Sequence, residues 1–269
     1  MSKKIFLPLA VALALALAGC AGHQREADNG VNADSTTRYR IERLMAGQGT
    51  NAAAMDEGEA IKAISAEFLG TPYTAGTLVG SDTVPERLVI NFNGVDCFTY
   101  LDYVYALSKS ADAAQFSEHL RQTRYVDGDV SYGHRKQFFT DWAHLTPLNA
   151  TDVTREVSPN AVTVTKHLNQ AAGGGKYFPS LDVTTRDIAY IPARAVNAAV
   201  IRRLKNGDFI GIYTPKAGMD VTHTGIFVMT DGGPMLRNAS SRAANRKVVD
   251  SPFLAYVKRT PGIVVLRGI

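Results

Sequence analysis

The hydrophobic pattern of this chain changes period once, near residue 122, and that change constrains the fold more than any other feature. Before it, apolar side chains recur at helical spacing, and helices are expected over residues 35–45, 56–69, 97–107 and 112–122, with Ile61, Ile64, Phe68 and Leu69 marking the second. Gly70-Thr71-Pro72 ends that second helix, and Asp96 is placed to cap the third. After the change come short β-branched or aromatic runs bounded by Gly, Pro and Asp, at residues 130–132, 162–167, 209–213, 225–229 and 263–267. Helices first and strands later predict an α+β fold, with N-terminal helices packed on an antiparallel sheet. Gly232-Gly233-Pro234, between Met229 and Met235, reads as the turn of a hairpin.

The N-terminal residues point to export. Lys3 and Lys4 precede an apolar run over residues 5–18, too short to cross a bilayer comfortably, which stops at Leu17-Ala18-Gly19-Cys20. Residues 1–19 are therefore expected to be a signal peptide. Leu-Ala-Gly-Cys resembles the bacterial lipobox, which implies cleavage before Cys20 and lipidation of its thiol, a stable membrane anchor when several acyl chains are attached. Ala21 follows Cys20 where an aspartate would be a retention signal, so a periplasm-facing lipoprotein of the outer membrane is expected. Residues 20–35, polar and poor in apolar side chains, are expected to be a flexible tether. Residues 36–269 are long enough for one core and contain no repeat, which predicts a single domain, expected to be monomeric. Of the 29 basic residues Lys3 and Lys4 leave with the signal, so 27 face 25 acidic ones and the balance is unremarkable. Arg237, Arg242, Arg246, Lys247, Lys258 and Arg259 gather late in the chain without interleaved aromatics or a nucleic-acid motif. A solvated face, or mild attraction to an anionic cell wall, fits them better than a nucleic-acid partner.

Lipidation of Cys20 would leave Cys97 alone in an oxidising compartment, with no intrachain disulfide possible. A lone thiol there is either buried and inert or used for chemistry. Cys97 directly follows the expected cap, so its sulfur would sit in the positive end of a helix dipole, where a thiol pKa falls and free N–H groups can bind an oxyanion. A small apolar residue packed at a helix start remains the other reading. Among six histidines, His223 is best placed as a base, at the beginning of an apolar strand. His23, His119, His134, His144 and His167 lie in the tether, on a polar helix or in loop-like contexts, and read as solvated or structural. The hairpin brings Asn238 across from His223 as the candidate group to orient it, with Ser240 as the alternative. No His-Glu-x-x-His or similar ligand spacing occurs, so no metal or other cofactor is expected.

Four fragments in order carry a family likeness: Gly70-Thr71-Pro72-Tyr73, Asp96-Cys97-Phe98-Thr99-Tyr100, Gly207-Asp208-Phe209-Ile210 and His223-Thr224-Gly225-Ile226-Phe227. Together they resemble the NlpC/P60 cell-wall hydrolases, which implies a papain-like core with the cysteine on a helix and the histidine on a sheet. Three departures stand out: Phe98-Thr99 replaces the usual Ser-Gly, Cys97 and His223 are far apart, and Asn238 takes the place of a frequent histidine. Arg124-Tyr125-Val126-Asp127-Gly128, Tyr132, Arg135 and Phe138-Phe139-Thr140-Asp141-Trp142 fill the long separation, and with the cysteine fragment they resemble the DUF1460 group over about residues 60–269. That resemblance implies a core enlarged by an insertion between nucleophile and base, and an N-acetylmuramoyl-L-alanine amidase acting on peptidoglycan fragments, small anhydro-muropeptides above all. It assigns Cys97 to attack on the lactyl carbonyl, His223 to proton transfer and Asn238 to holding the imidazole. Tyr73 would flank the nucleophile, and Asp96, Arg135, Asp141 and Trp142 are candidate substrate contacts, although a structural Arg-Asp pair beside a buried Trp explains the last three equally well. Two rivals stay open: an endopeptidase for the γ-D-glutamyl to diamino-acid bond, and a non-catalytic wall-binding lipoprotein.

Overall fold

The computed structural model describes residues 31–48 and 56–269. The expected signal peptide, Cys20 and most of the expected tether lie outside the described residues. Val31–Asn32 (β1) pairs in parallel with Leu88–Val89 (β2), and the Asp34 carboxylate accepts from the Thr37 amide at 2.8 Å to start the first helix, so the described body begins slightly ahead of Ser35. Helices α1 (Ser35–Gln48), α2 (Glu57–Ala66), α3 (Cys97–Ser108) and α4 (Ala113–Arg124) stand where the period predicts them. Asp56, Asp96 and Asp112 cap α2, α3 and α4 by accepting from first-turn amides. A buried ion pair clamps α3 to α4: Arg124 Nε lies 2.8 Å from Asp102 Oδ2, while its Nη1 donates to Val89 O, also at 2.8 Å.

The strand-forming half gives β3 (Ala150–Asp152), β4 (Val162–Leu168), β5 (Thr184–Pro192), β6 (Phe209–Tyr213), β7 (Val221–Thr230), β8 (Gly233–Ser240), β9 (Lys247–Pro252) and β10 (Gly262–Gly268), with short helices α5 (Thr154–Val157), α6 (Ala198–Arg203) and α7 (Phe253–Val257) between them. They build one eight-stranded antiparallel sheet in the order β4-β5-β10-β6-β7-β8-β9, with β3 joining on β10. The strand latest in sequence is thus central: β10 pairs with β6 along one edge and with β5 then β3 along the other.

Both faces of this sheet are covered. Phe209 and Tyr213 of β6, and Val264 and Leu266 of β10, join the core under α1 to α4. Ile210, Ile212, Ile263 and Val265 point the other way, into a second core closed by α5, α6 and α7. Side chains alternate between two apolar environments, which is why these segments read as continuous apolar runs instead of polar-apolar alternations.

Three local expectations change. Residues 130–132 are not a strand, because Asp127 and Gly128 are consecutive left-handed residues (φ 52° and 66°) that divert the backbone into 3-10 turns at Val126–Gly128 and Tyr132–His134. β5 has no counterpart in the expected runs, since Thr184–Pro192 mixes Arg and Asp among its apolar residues. The hairpin turns one residue early: Thr230 pairs with Gly233, leaving Asp231 and Gly232 as the loop.

Candidate active site

Cys97 is the first residue of α3. Its neighbour Asp96 closes a reciprocal cap: Oδ1 accepts from the Phe98 amide at 3.0 Å and the Thr99 amide at 2.8 Å, while Thr99 Oγ1 accepts from the Asp96 amide. The cap therefore uses two of the amides expected to serve an oxyanion. Of the first three helical amides, the Cys97 N–H alone has no acceptor among the described residues. The expected electrostatics also change. Burial, then the adjacent Asp96 carboxylate, push the Cys97 thiol up to about 11, outweighing opposing hydrogen bonds from Thr224.

Thr224 also fixes the helix start against the sheet, since its hydroxyl donates to Cys97 O at 2.7 Å. His223, the preceding residue of β7, lines the same cleft as Cys97. Its Nε2 lies 3.0 Å from Oδ1 of Asn238 on β8. The Asn238 amide is fully buried and its Nδ2 donates to Leu236 O at 3.0 Å and Ser251 Oγ at 3.2 Å, so Oδ1 is the atom presented to the imidazole. Accepting oxygen there requires the proton on Nε2 and leaves Nδ1 with a free lone pair, the form a base needs. Gly225 makes room for this contact: a Cβ on it would come 2.9 Å from Arg237 O and 3.0 Å from the Asn238 Cβ. Ser240 instead accepts from the Arg242 amide and Asn245 Nδ2 in the following turn, both at 3.4 Å. Burial holds the imidazole below its ordinary 6.5, against the Asn238 hydrogen bond and with help from Arg242.

The resting pair is consequently a neutral thiol beside a neutral imidazole. Alkylation of Cys97 by iodoacetamide, which follows the thiolate, should rise about tenfold per pH unit from pH 7 toward the region of pH 11. A rate already at its plateau at pH 7 would overturn this account.

The cleft has a volume of about 380 Å³, and aromatic side chains form much of its wall, among them Phe98, Phe138, Tyr177 and Phe178. Phe138 comes from the segment between α4 and β3, and its ring meets Phe178 edge-on at 6.1 Å. Among the described residues, no group of three His, Cys, Asp or Glu side chains is placed to hold a metal ion.

Several expected contacts prove structural. Trp142 is fully buried between Phe209 (5.0 Å), Tyr105 (5.5 Å) and Phe98 (6.0 Å), so it braces the helix start and offers no face to a ligand. Asp141 is buried against Arg186 at 2.9 Å and accepts from the Phe138 amide, which shapes the segment between α4 and β3. Arg135 makes a two-pronged pair with Glu86 at 2.7 and 2.5 Å, away from the cleft lining. Asp96 acts on the site through the cap and its charge. Tyr73 lies near Cys97: its phenol is pushed up by burial and next by Cys97 and Asp96. The other described histidines are held locally, His119 on Ser110, His134 on Ser131, His144 on Thr140 O and His167 on Thr185.

Sequence reasoning missed Tyr256 and the role of Thr224. Tyr256, on α7, stacks toward His223 with ring centroids 6.2 Å apart, and the Arg242 guanidinium lies over the Tyr256 ring, 4.5 Å from its centroid. No motif signals Tyr256, because a single aromatic after a strand is ordinary core material; Thr224 was visible only as the residue after the histidine.

Comparison with known proteins bears on this site. A family model described as AmiA-like, N-acetylmuramoyl-L-alanine amidase-like, matches residues 63–263. A crystal structure of an N-acetylmuramoyl-L-alanine amidase from Bacteroides uniformis is similar with a TM-score of 0.67 at 29% identity, covering 79% of this chain and 98% of that one. A Legionella pneumophila protein of the DUF1460 family shares the fold with a TM-score of 0.74 at 22% identity, over 87% of this chain and 95% of that one. No curated protein is significantly similar.

Proposed function

Since the chain belongs to the AmiA-like, N-acetylmuramoyl-L-alanine amidase-like family, we propose that it hydrolyses the amide between N-acetylmuramic or anhydro-muramic acid and L-alanine in small muropeptides, by way of a Cys97 thioester on a papain-like NlpC/P60 core. One observation carries this reading: Cys97 and His223 line a single aromatic-walled cleft, and His223 Nε2 lies 3.0 Å from Asn238 Oδ1 behind it.

In this mechanism His223 Nδ1 removes the thiol proton as sulfur attacks the lactyl carbonyl. The Cys97 N–H is the backbone donor left for the oxyanion, and the Tyr73 hydroxyl is the nearby side-chain candidate to join it. The imidazolium then protonates the departing alanine amine, and water, deprotonated by the same Nδ1, hydrolyses the thioester. The aromatic wall suits the sugar, whose ring faces pack on apolar carbon. Export with a lipid anchor on Cys20 would place this activity at the outer membrane, facing the periplasm.

Products decide between this reading and the γ-D-glutamyl endopeptidase. Mass spectrometry after digestion of an anhydro-disaccharide tetrapeptide should show free disaccharide plus tetrapeptide. A disaccharide still carrying L-Ala-D-Glu overturns the amidase reading. Asn238→Ala should cut kcat about 10- to 100-fold while leaving KM nearly unchanged, because it frees the imidazole without touching substrate. Steady-state kinetics on the same substrate reads this directly, and an unchanged kcat would remove Asn238 from the mechanism.

A further inference from the structure

The late basic residues, read from sequence as a solvated face, include two arginines that the mechanism leaves unused. Arg242 and Arg246 lie in the turn between β8 and β9, where Arg242 O accepts from the amides of Asn245 (2.9 Å) and Arg246 (3.0 Å). The Arg242 guanidinium sits 4.5 Å from the ring centre of Tyr256, which in turn stacks on His223. The Arg246 guanidinium sits 5.6 Å from the ring centre of Tyr73, whose backbone amide donates to Arg246 O at 2.9 Å. Each cation is therefore one aromatic ring away from a member of the reacting pair.

Neither arginine is paired with a carboxylate within 4.0 Å among the described residues, whereas Arg124, Arg135, Arg186, Arg237 and Arg267 all are. Both are exposed, and Arg246 adopts a left-handed backbone (φ 46°), which is uncommon for a non-glycine residue. Neither they nor Tyr73 and Tyr256 line the aromatic cleft, so they flank the reacting pair from outside it. The site is polarised: on one side apolar rings, with Asp220 committed to Thr140, and on the other two unpaired guanidinium groups.

A muropeptide has the matching asymmetry. Its sugar end is uncharged, and its peptide carries carboxylates, the first being the α-carboxylate of the γ-linked D-glutamate next to the alanine. We propose that Arg242 and Arg246 form a carboxylate subsite for the peptide leaving group, with the sugar in the aromatic cleft and the D-glutamate α-carboxylate over Tyr256 and Tyr73. Departure of the peptide past His223 agrees with that orientation, because the base must protonate the amine on the same side. This rests on the amidase reading for the order of the two arms, and on the unpaired arginines for the charge recognised.

The test compares two anhydro-disaccharide tripeptides that differ only in the second residue, D-glutamate with a free α-carboxylate or its α-amide. Binding is measured by calorimetry to Cys97→Ala protein, which needs no turnover. The acid should bind at least about tenfold more tightly than the amide, as a charge-assisted contact predicts. Adding Arg242→Gln and Arg246→Asn, the latter chosen because asparagine accepts a left-handed backbone, should bring the two affinities within about threefold while leaving amide binding and the melting temperature near their Cys97→Ala values. Replacing Arg242→Gln by Arg242→Lys in that variant should recover part of the preference. An acid-to-amide ratio unchanged by the two substitutions, or an amide that binds as well as the acid to begin with, overturns the subsite. The product masses of the wild-type reaction test the amidase reading separately, so either can fail alone.

Discussion

Cys97→Ala is expected to lower kcat by at least about 10⁴-fold, since in the proposed mechanism the sulfur forms the covalent intermediate and no neighbouring side chain can replace it. Binding should survive the change, because a sulfur at the floor of a cleft adds little to ground-state affinity. Single-turnover assays with wild-type protein should trap a mass equal to enzyme plus the lactyl-bearing sugar, and the alanine variant should not. Activity reduced less than about tenfold would remove Cys97 as nucleophile. Cys97→Ser offers a sharper comparison. The hydroxyl keeps the shape but is a far weaker acid than even a thiol held near 11, and His223 is too weak a base to compensate.

The largest effect on stability is expected from Arg124→Met. This guanidinium is fully buried, and its removal leaves the Asp102 carboxylate uncompensated between α3 and α4, a loss of about 3–5 kcal/mol. For a body of this size that is a fall in Tm of roughly 10 °C. The pair is imperfect, because Arg124 Nη2 has no hydrogen-bond partner, so Arg124→Met with Asp102→Leu should recover most of what the single change loses. Urea denaturation of the three variants measures this. A single variant within 1 kcal/mol of wild type would show that Asp102 finds another partner.

How much of this was legible beforehand depends on which forces act locally. The helices and their caps were, because Asp56, Asp96 and Asp112 announce themselves beside the period they begin. The His223–Asn238 contact was also legible, since a hairpin brings residues fifteen apart together without any long-range knowledge, whereas placing Cys97 beside them needed the family resemblance. The Asp127-Gly128 kink was not, because left-handed backbone at an aspartate leaves no periodic trace. The thiol's environment was misread for a related reason. A helix start alone depresses a thiol pKa, whereas burial under the sheet and the adjacent carboxylate raise it, and burial depends on the whole fold. Trp142 and Asp141 followed the same pattern: residues able to contact a ligand were used to build the wall behind it.

The segment between α4 and β3 thus contributes to the site in two ways. Phe138 faces the cleft, and Trp142 supports Phe98 from beneath, so substitutions at Trp142 would act on the reaction by moving the helix that carries Cys97.

The place of β10 has a consequence for biogenesis. A ribosome or a secretion channel delivers a polypeptide from its N-terminus, yet the strand that joins β3, β5 and β6 into one sheet is residues 262–268, the latest of all. Without those residues, β4 with β5 and the run β6-β7-β8-β9 are separate sheets whose facing edges are uncovered, and the two cores have no common wall. The sheet, and with it the shared wall of the two cores, therefore closes only once β10 is in place.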